Sequence, residues 1–365
     1  MEGSPADHSA KVLVPVVYLL VFLLGGLGNL LVMVILWGYR RTRSSTEVFL
    51  LHLALANLLL VLTFPFGVAE SLAGWVFGTF LCKVLSATNR INFYSSSLLL
   101  SCVSVDRYLA VVHALRTFQR QRSLSVHVTC LAVWALSLLL TMPDLLFTEV
   151  WAESSNLTIC YFKKYGAHGI NAWLATRFLY HIVGFFLPSA VMGFCYTAIV
   201  RALCRSQRLQ QQKAVKVAIL VTCVFLLCWT PFHVVIFWDT LTKLEARRCM
   251  QGQGLGMAIV VTELLGFSHC CLNPILYAFV GVRYRHDACR VLHDLGCLSQ
   301  NTLQGILGSR GTESTTETTV SIGRHPASPC AMNLLAPSSG SPAPSSPSPQ
   351  VATSQWLREE APDSA

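Results

Sequence analysis

The residues that stand out in this chain are suited to moving charge and anchoring helices rather than to making bonds. Asp106-Arg107-Tyr108 closes an apolar stretch that begins near Phe80. A carboxylate beside a guanidinium is costly where an apolar helix meets water, so the triplet reads as a switchable ion pair or as charges marking a membrane boundary. Glu263 lies inside another apolar stretch, eleven residues before Pro274. An unpaired carboxylate there is expensive, which predicts that it faces a wet cavity. In Cys228-Trp229-Thr230-Pro231 the proline interrupts a helical hydrogen-bond ladder and permits a kink beside an indole. No phosphate loop, metal-ligand cluster or nucleophile–base set is visible, so neither an enzyme nor a cofactor or metal site is expected.

These residues sit on long apolar segments. The chain has 365 residues, is 53% hydrophobic and 12% charged, with mean hydropathy +0.53. A soluble domain carries about 25% charge. Seven runs suffice to cross a bilayer, which takes about 20 residues: Val12–Trp37, Val48–Ala69, Phe80–Val105, Leu124–Phe147, Phe178–Leu203, Ala214–Trp238 and Leu255–Val280. Backbone groups in lipid must pair within their own segment, so the runs are helices. The expected fold is an all-α membrane protein, a seven-transmembrane-helix bundle over 12–282 behind a short extracellular segment, 1–11. The lipid bilayer is therefore a partner.

Lysine and arginine set the orientation. The connections after the first, third and fifth runs and the stretch just after the seventh hold 15 of the 27, the opposite side holds 9 and the tail 3. The N-terminus is expected outside and the C-terminus inside, in a multi-pass plasma-membrane protein. The first helix reads as an uncleaved anchor, being too long for a signal peptide. The net charge of +9 reflects the inner bias and points to no nucleic acid.

Cys82 opens the third run and Cys160 lies in the longest outer connection, both facing an oxidising compartment, so a Cys82–Cys160 disulfide is expected. Sequence alone does not determine the pairing, and Cys249 is a further outer cysteine. Asn156-Leu157-Thr158 is an outer N-glycosylation sequon. Within 283–297, Tyr284, Ala288, Val291, Leu292 and Leu295 recur at helical spacing among arginines, predicting a short amphipathic eighth helix on the membrane surface. Cys297 ends it and is a lipidation candidate, with Cys289 a weaker one. Residues 298–365 are rich in Ser, Thr and Pro and are expected to be a disordered cytoplasmic tail. There Thr312, Ser314, Thr315, Thr316, Thr318, Thr319 and Ser321 cluster as phosphorylation candidates, or form plain low-complexity sequence.

Taken in order, Gly28-Asn29, Leu53-Ala54-Leu55-Ala56-Asn57, Asp106-Arg107-Tyr108, Trp134, Pro188, Cys228-Trp229-Thr230-Pro231 and Asn273-Pro274-Ile275-Leu276-Tyr277 place one mark on each helix. Over 12–297 the chain resembles rhodopsin-like G-protein-coupled receptors. Thr63-Phe64-Pro65, Trp75-Val76-Phe77-Gly78 and His269-Cys270-Cys271-Leu272-Asn273-Pro274 narrow this to a resemblance to chemokine receptors of the CXC class. Gln212–Thr222, Arg177–His181, Thr42–Glu47 and Phe237–Leu241 resemble the branch whose ligand attracts B lymphocytes.

The resemblance implies a receptor for a CXC chemokine that activates inhibitory-class heterotrimeric G proteins, directs lymphocyte chemotaxis, and engages receptor kinases and arrestin through the tail. It casts Arg107 as the residue that swings toward the G protein, released from Asp106 and supported by Tyr196, Asn273 and Tyr277, with Trp229 and Pro231 as the pivot. Tyr196 and Tyr277 also read as interfacial anchors, and Trp229 as plain aromatic packing. It casts Glu263, Asp239, Asn89, Arg177, His181 and Trp75 as the ligand site. Asp239 also reads as a solvated helix end and His181 as a satisfied core histidine.

The pattern departs from that family in places. No Tyr precedes Tyr18 and no Cys precedes the first helix, where related receptors carry an acidic Tyr-containing segment. The outer face balances nine acids against nine bases, which weakens steering of a basic ligand. Asn57 stands where an Asp is usual and His269 where an Asn is common, against an internal sodium site. Gln211 stands where some receptors carry an acid, against an inter-helix lock to Arg107. An atypical or N-terminally truncated, non-signalling chemokine-binding receptor is the competing reading, and the intact Asp106-Arg107-Tyr108 argues against it. A transporter is disfavoured by the odd helix number and the absence of inverted repeats.

Overall fold

The computed structural model describes residues 5–38, 43–113, 119–154, 157–163, 169–205, 212–245, 255–280 and 282–300. Ten α-helices and one hairpin lie among them: α1 Pro5–Gly38, α2 Ser45–Val61, α3 Phe64–Ala73, α4 Gly78–Val111, α5 Gln119–Phe147, β1 Thr148–Ser154, β2 Leu157–Phe162, α6 Gly169–His181, α7 Leu187–Arg205, α8 Gln212–Glu245, α9 Leu255–Val280 and α10 Val282–Asp294. They form a helical membrane bundle. Among the described residues six helical stretches are long and apolar enough to cross a membrane.

The expected third crossing, α4, is long enough at 34 residues but too polar to be among those six. Its place in the bundle explains the difference. It packs against α2, α5, α7 and α8, and Asn92, Ser95, Ser96, Ser97 and Ser104 are buried there rather than set against lipid. Lipid-facing apolar residues such as Leu27, Leu131, Leu139 and Leu227 lie on the surrounding helices.

Local chemistry sets the helix ends and breaks. α2 opens on a capping box: the Glu47 N–H donates to Ser44 Oγ and the Ser44 N–H to the Glu47 carboxylate at 2.8 Å. The second crossing bends between α2 and α3. Pro65 cannot donate to the carbonyl four residues back, and Thr63 Oγ1 donates to the Leu60 carbonyl at 2.7 Å. The fifth crossing holds a π-helical turn, Ile182–Phe186, between α6 and α7, in which the Leu187 N–H reaches back to the Ile182 carbonyl. This turn, just before Pro188, was not read from the sequence. Gly184 within it lies so near α4 that an added Cβ would stand 2.7 Å from Phe93 Cε1.

The antiparallel pair β1–β2 was expected only as a loop; its β-branched and aromatic residues, Thr148, Val150, Trp151, Thr158, Ile159 and Tyr161, suit a pleated strand. Cys82 and Cys160 are disulfide-bonded, with Cα atoms 5.7 Å apart, tying β2 to the start of α4. The hairpin also meets the first turn of chain after α3. The Trp75 N–H donates to the Thr158 carbonyl at 2.8 Å, and Thr158 Oγ1 donates to the Trp75 carbonyl. On the hairpin, the Tyr161 hydroxyl, donating at 2.9 Å, and Lys163 hold the Glu149 carboxyl below its ordinary range.

At the other end of the bundle α10 follows α9. Tyr284 meets Tyr277 edge to face, and Gly296, at φ +74°, closes the turn after the helix. Asn156, Cys249, Gln211 and the tail from 301 onward, with its Ser/Thr cluster, lie outside the described residues.

Candidate functional site

Three groups of side chains lie along the bundle axis. At the end opposite the hairpin, the last turns of α4 present Asp106 and Arg107. Arg107 Nη2 donates to Asp106 Oδ2 at 2.6 Å, and Thr46 Oγ1, near the start of α2, donates to the same oxygen at 2.9 Å. Both residues of the pair are largely buried. The carboxylate thus holds the guanidinium on its own helix and ties α4 to α2. Tyr196 and Tyr277 are not bonded to Arg107 in this arrangement. The Tyr196 hydroxyl pairs with Thr222 Oγ1 across α7 and α8 at 3.2 Å, and the Tyr277 ring packs on Tyr284. Asn273 is buried, and its side-chain amide has no hydrogen-bond partner among the described residues.

In the middle, Trp229 packs against Phe93 with ring centroids 4.8 Å apart, and against Phe232 and Phe267. Gly266 makes the room: an added Cβ would stand 2.9 Å from the indole. Trp229 Nε1 lies 3.3 Å from His269 Nδ1, which also lies 2.6 Å from the Gly266 carbonyl. An indole N–H only donates and a carbonyl only accepts, so the His269 tautomer decides which contact is a hydrogen bond. Next to it runs a chain of neutral groups. Asn92 Nδ2 and Cys270 Sγ both donate to Asn57 Oδ1, Asn57 Nδ2 donates to Asn29 Oδ1, and Asn29 Nδ2 donates to the Cys270 carbonyl. At Asn57, then, the departure from the family pattern is accommodated by amide and thiol donors converging on a neutral oxygen.

Toward the hairpin end the charged residues fall into pairs. Arg90 of α4 donates to Asp144 of α5 at 3.2 Å and lies 4.2 Å above the Tyr180 ring. Arg177 of α6 donates to Asp239 of α8 at 3.3 Å, and Lys243 contacts the same carboxylate at 2.6 Å. Both cations lie over Trp173. Glu263 differs: it is half-buried, has no hydrogen bond or ion pair with a described residue, and feels the fields of Arg90 and Arg177. A cationic ligand group reaching it would replace distant charges with a direct partner.

The structure brings Glu263, Arg177 and Asp239 into one region and uses the other expected ligand contacts differently. Asp239 is buried and neutralised by two cations, so it adds no free negative point. His181 is buried, with Nδ1 2.9 Å from Nδ1 of His233. Asn89 lies against the bend of the second crossing, its Oδ1 3.1 Å from Thr63 Oγ1. Trp75 is 4% exposed and donates its indole N–H to the Gly78 carbonyl, a brace for the hairpin rather than an open surface. Sequence reading missed Arg90, Asp144, His233 and Lys243. The signal was available for three of them: Arg90 and Asp144 are charges within apolar runs, and Lys243 stands four residues after Asp239 on one helix.

The family model of the 7 transmembrane receptor (rhodopsin family) matches residues 28–277. The chain is 52% identical over 308 residues to "C-X-C chemokine receptor type 5" of Mus musculus, covering 83% of this chain and 82% of that one. It is 51% identical over 307 residues to the Homo sapiens receptor of the same name, with the same coverage. To the Homo sapiens "C-X-C chemokine receptor type 2" it is 44% identical over 309 residues, covering 83% and 85%. The chain belongs to the rhodopsin family of seven-transmembrane receptors and, within it, to the CXC chemokine receptors. It is a multi-pass plasma-membrane receptor and not an enzyme.

Proposed function

We propose that this receptor binds the CXC chemokine that attracts B lymphocytes and activates inhibitory-class heterotrimeric G proteins, directing lymphocyte migration. The observation that carries the signalling part is the Asp106–Arg107 pair at the end of α4, bridged to α2 by Thr46. A ligand moves such a pair only by binding one arrangement of the helices more tightly than another. On this reading the hairpin end is extracellular and the Arg107 end cytoplasmic, in keeping with the basic connections. Glu263 receives a cationic group of the ligand, and Trp229 with Pro231 passes the shift along α8. Asn156 carries a glycan and Cys297, exposed after α10, an acyl chain. Receptor kinases phosphorylate the Ser/Thr cluster from Thr312 to Ser321, which arrestin then engages.

The test is chemokine-driven lowering of cyclic AMP in transfected cells with receptor counted at the surface. The native chain should respond and Arg107→Ala should not. Glu263→Gln should require about tenfold more chemokine, the cost of one charge-assisted contact of about 1.4 kcal/mol. Silence of the native chain at full surface level, with chemokine bound and arrestin recruited, would move the assignment to a non-signalling chemokine-binding receptor.

A further inference from the structure

His181, the last residue of α6, and His233 of α8 are 2% and 1% exposed, and their Nδ1 atoms lie 2.9 Å apart. Each Nε2 is buried with no hydrogen-bond partner among the described residues. We propose that the pair is a two-coordinate site for copper(I), the ion seated between the two Nδ1 atoms and joining α6 to α8.

The number of donors selects the ion. Among the described residues no group of three or more His, Cys, Asp or Glu side chains could hold a metal, whereas zinc takes about four ligands. Copper(I) is satisfied by two imidazoles in line, and imidazole suits copper. Bonds of about 2 Å to each imidazole place the nitrogens about 4 Å apart, a parting of about 1 Å that small turns of the two side chains supply. Charge selects the same ion. The self-energy of a buried ion grows as the square of its charge, so a monovalent ion costs about a quarter as much as a divalent one. The cations whose fields reach the pair, Arg90 and Arg177, are each matched by a carboxylate, Asp144 and Asp239. Aromatic rings complete the surround. Those of Phe93, Tyr180 and Phe185 have centroids 5.1, 5.1 and 4.2 Å from that of His233, and ring faces attract a cation.

The protons balance. Without the ion one Nδ1 carries the proton of the contact, so one Nε2 presents a bare lone pair to the rings around it. With the ion both Nδ1 lone pairs are given to copper, and that proton sits on Nε2 of the same imidazole. Both outer nitrogens are then N–H donors, which aromatic faces accept. The two imidazoles stay neutral, and no proton leaves the protein.

The test is anaerobic titration of the full chain in detergent with copper(I) buffered by bicinchoninate, ascorbate being present. The native chain should hold one equivalent more than the double variant His181→Leu with His233→Leu, in which no imidazole is left unpaired. Each single variant should bind that equivalent at least about a hundredfold more weakly, since losing a mere outer-shell partner costs about 10–100-fold. X-ray absorption at the copper edge should show two nitrogen neighbours for the first equivalent, and calorimetry in buffers of different ionisation enthalpy should show no proton release. Thiol ligation would give sulfur neighbours and released protons, and would overturn the proposal. So would equal binding by the native chain and the double variant, or zinc(II) held at this pair as tightly as copper(I). If the variants fail to fold, the copper-edge spectrum and the proton count of the native chain decide alone.

Discussion

Two imidazoles that meet Nδ1 to Nδ1 at 2.9 Å, as His181 and His233 do, must hold opposite roles, one protonated at that nitrogen and the other not. The contact joins α6 to α8 in an aromatic surround, with Phe185 stacked 4.2 Å from the His233 ring. His181→Leu removes one partner and leaves a buried nitrogen unpaired, which costs about 1–3 kcal/mol. The apparent Tm in detergent should fall for His181→Leu, and His181→Leu with His233→Leu should recover part of the loss. A double variant that loses at least the sum of the singles would show that the nitrogens do not act as a pair. At this scale the sequence was half legible. A carboxylate within an apolar run singled out Glu263, because its cost depends on the run alone. The neutralisation of Asp239 was visible in part: Lys243 stands four residues on along the same helix, whereas Arg177 is 62 residues away and only the packing of α6 on α8 joins it to Asp239.

Between elements, a proline in one helix is matched by an asparagine in another. Pro274 has no N–H for the carbonyl of Cys270, and Asn29 of α1 supplies a donor to that carbonyl at 2.8 Å. The match requires α1 and α9 to touch, and Gly28 lets them: an added Cβ would stand 2.8 Å from the Pro274 ring. Gly28→Ala should therefore separate the two helices and destabilise the receptor by about 1–3 kcal/mol. A fluorescence thermal shift in detergent would register this, and an unchanged Tm would mean the helices yield freely. Long elements could be read from sequence because apolar runs end where charges and turn residues begin; α9 runs from Leu255 to Val280 as expected. The hairpin was harder, since seven and six residues of mixed character leave little periodic signal beside the helices. The π-helical turn leaves no compositional trace at all, because Ile, Val, Gly and Phe suit an α-helix in lipid equally well.

Across the whole molecule a line of uncharged polar groups, from Asn29 through Asn57 and Asn92 to Cys270, stands beside Trp229 and connects α1, α2, α4 and α9. Asn57→Asp would place a carboxylate among them, and a buried charge needs a counter-ion. The Asn57→Asp receptor should gain thermal stability when sodium chloride replaces choline chloride, and the native receptor should not; identical curves would show that water reaches this depth. The fifth crossing sets a different kind of relation between the two ends. Successive residues of an α-helix are about 100° apart around its axis, and the π-helical turn Ile182–Phe186 inserts one residue into that count. It works as an angular offset: the azimuth of every side chain on α6 is set relative to α7 by that single residue. Deleting one residue from the turn would give a more regular helix, yet rotate Arg177 and His181 by about 100°, away from Asp239 and His233. Such a receptor should still reach the membrane and keep the Asp106–Arg107 pair, while the hairpin end loses its alignment with α8.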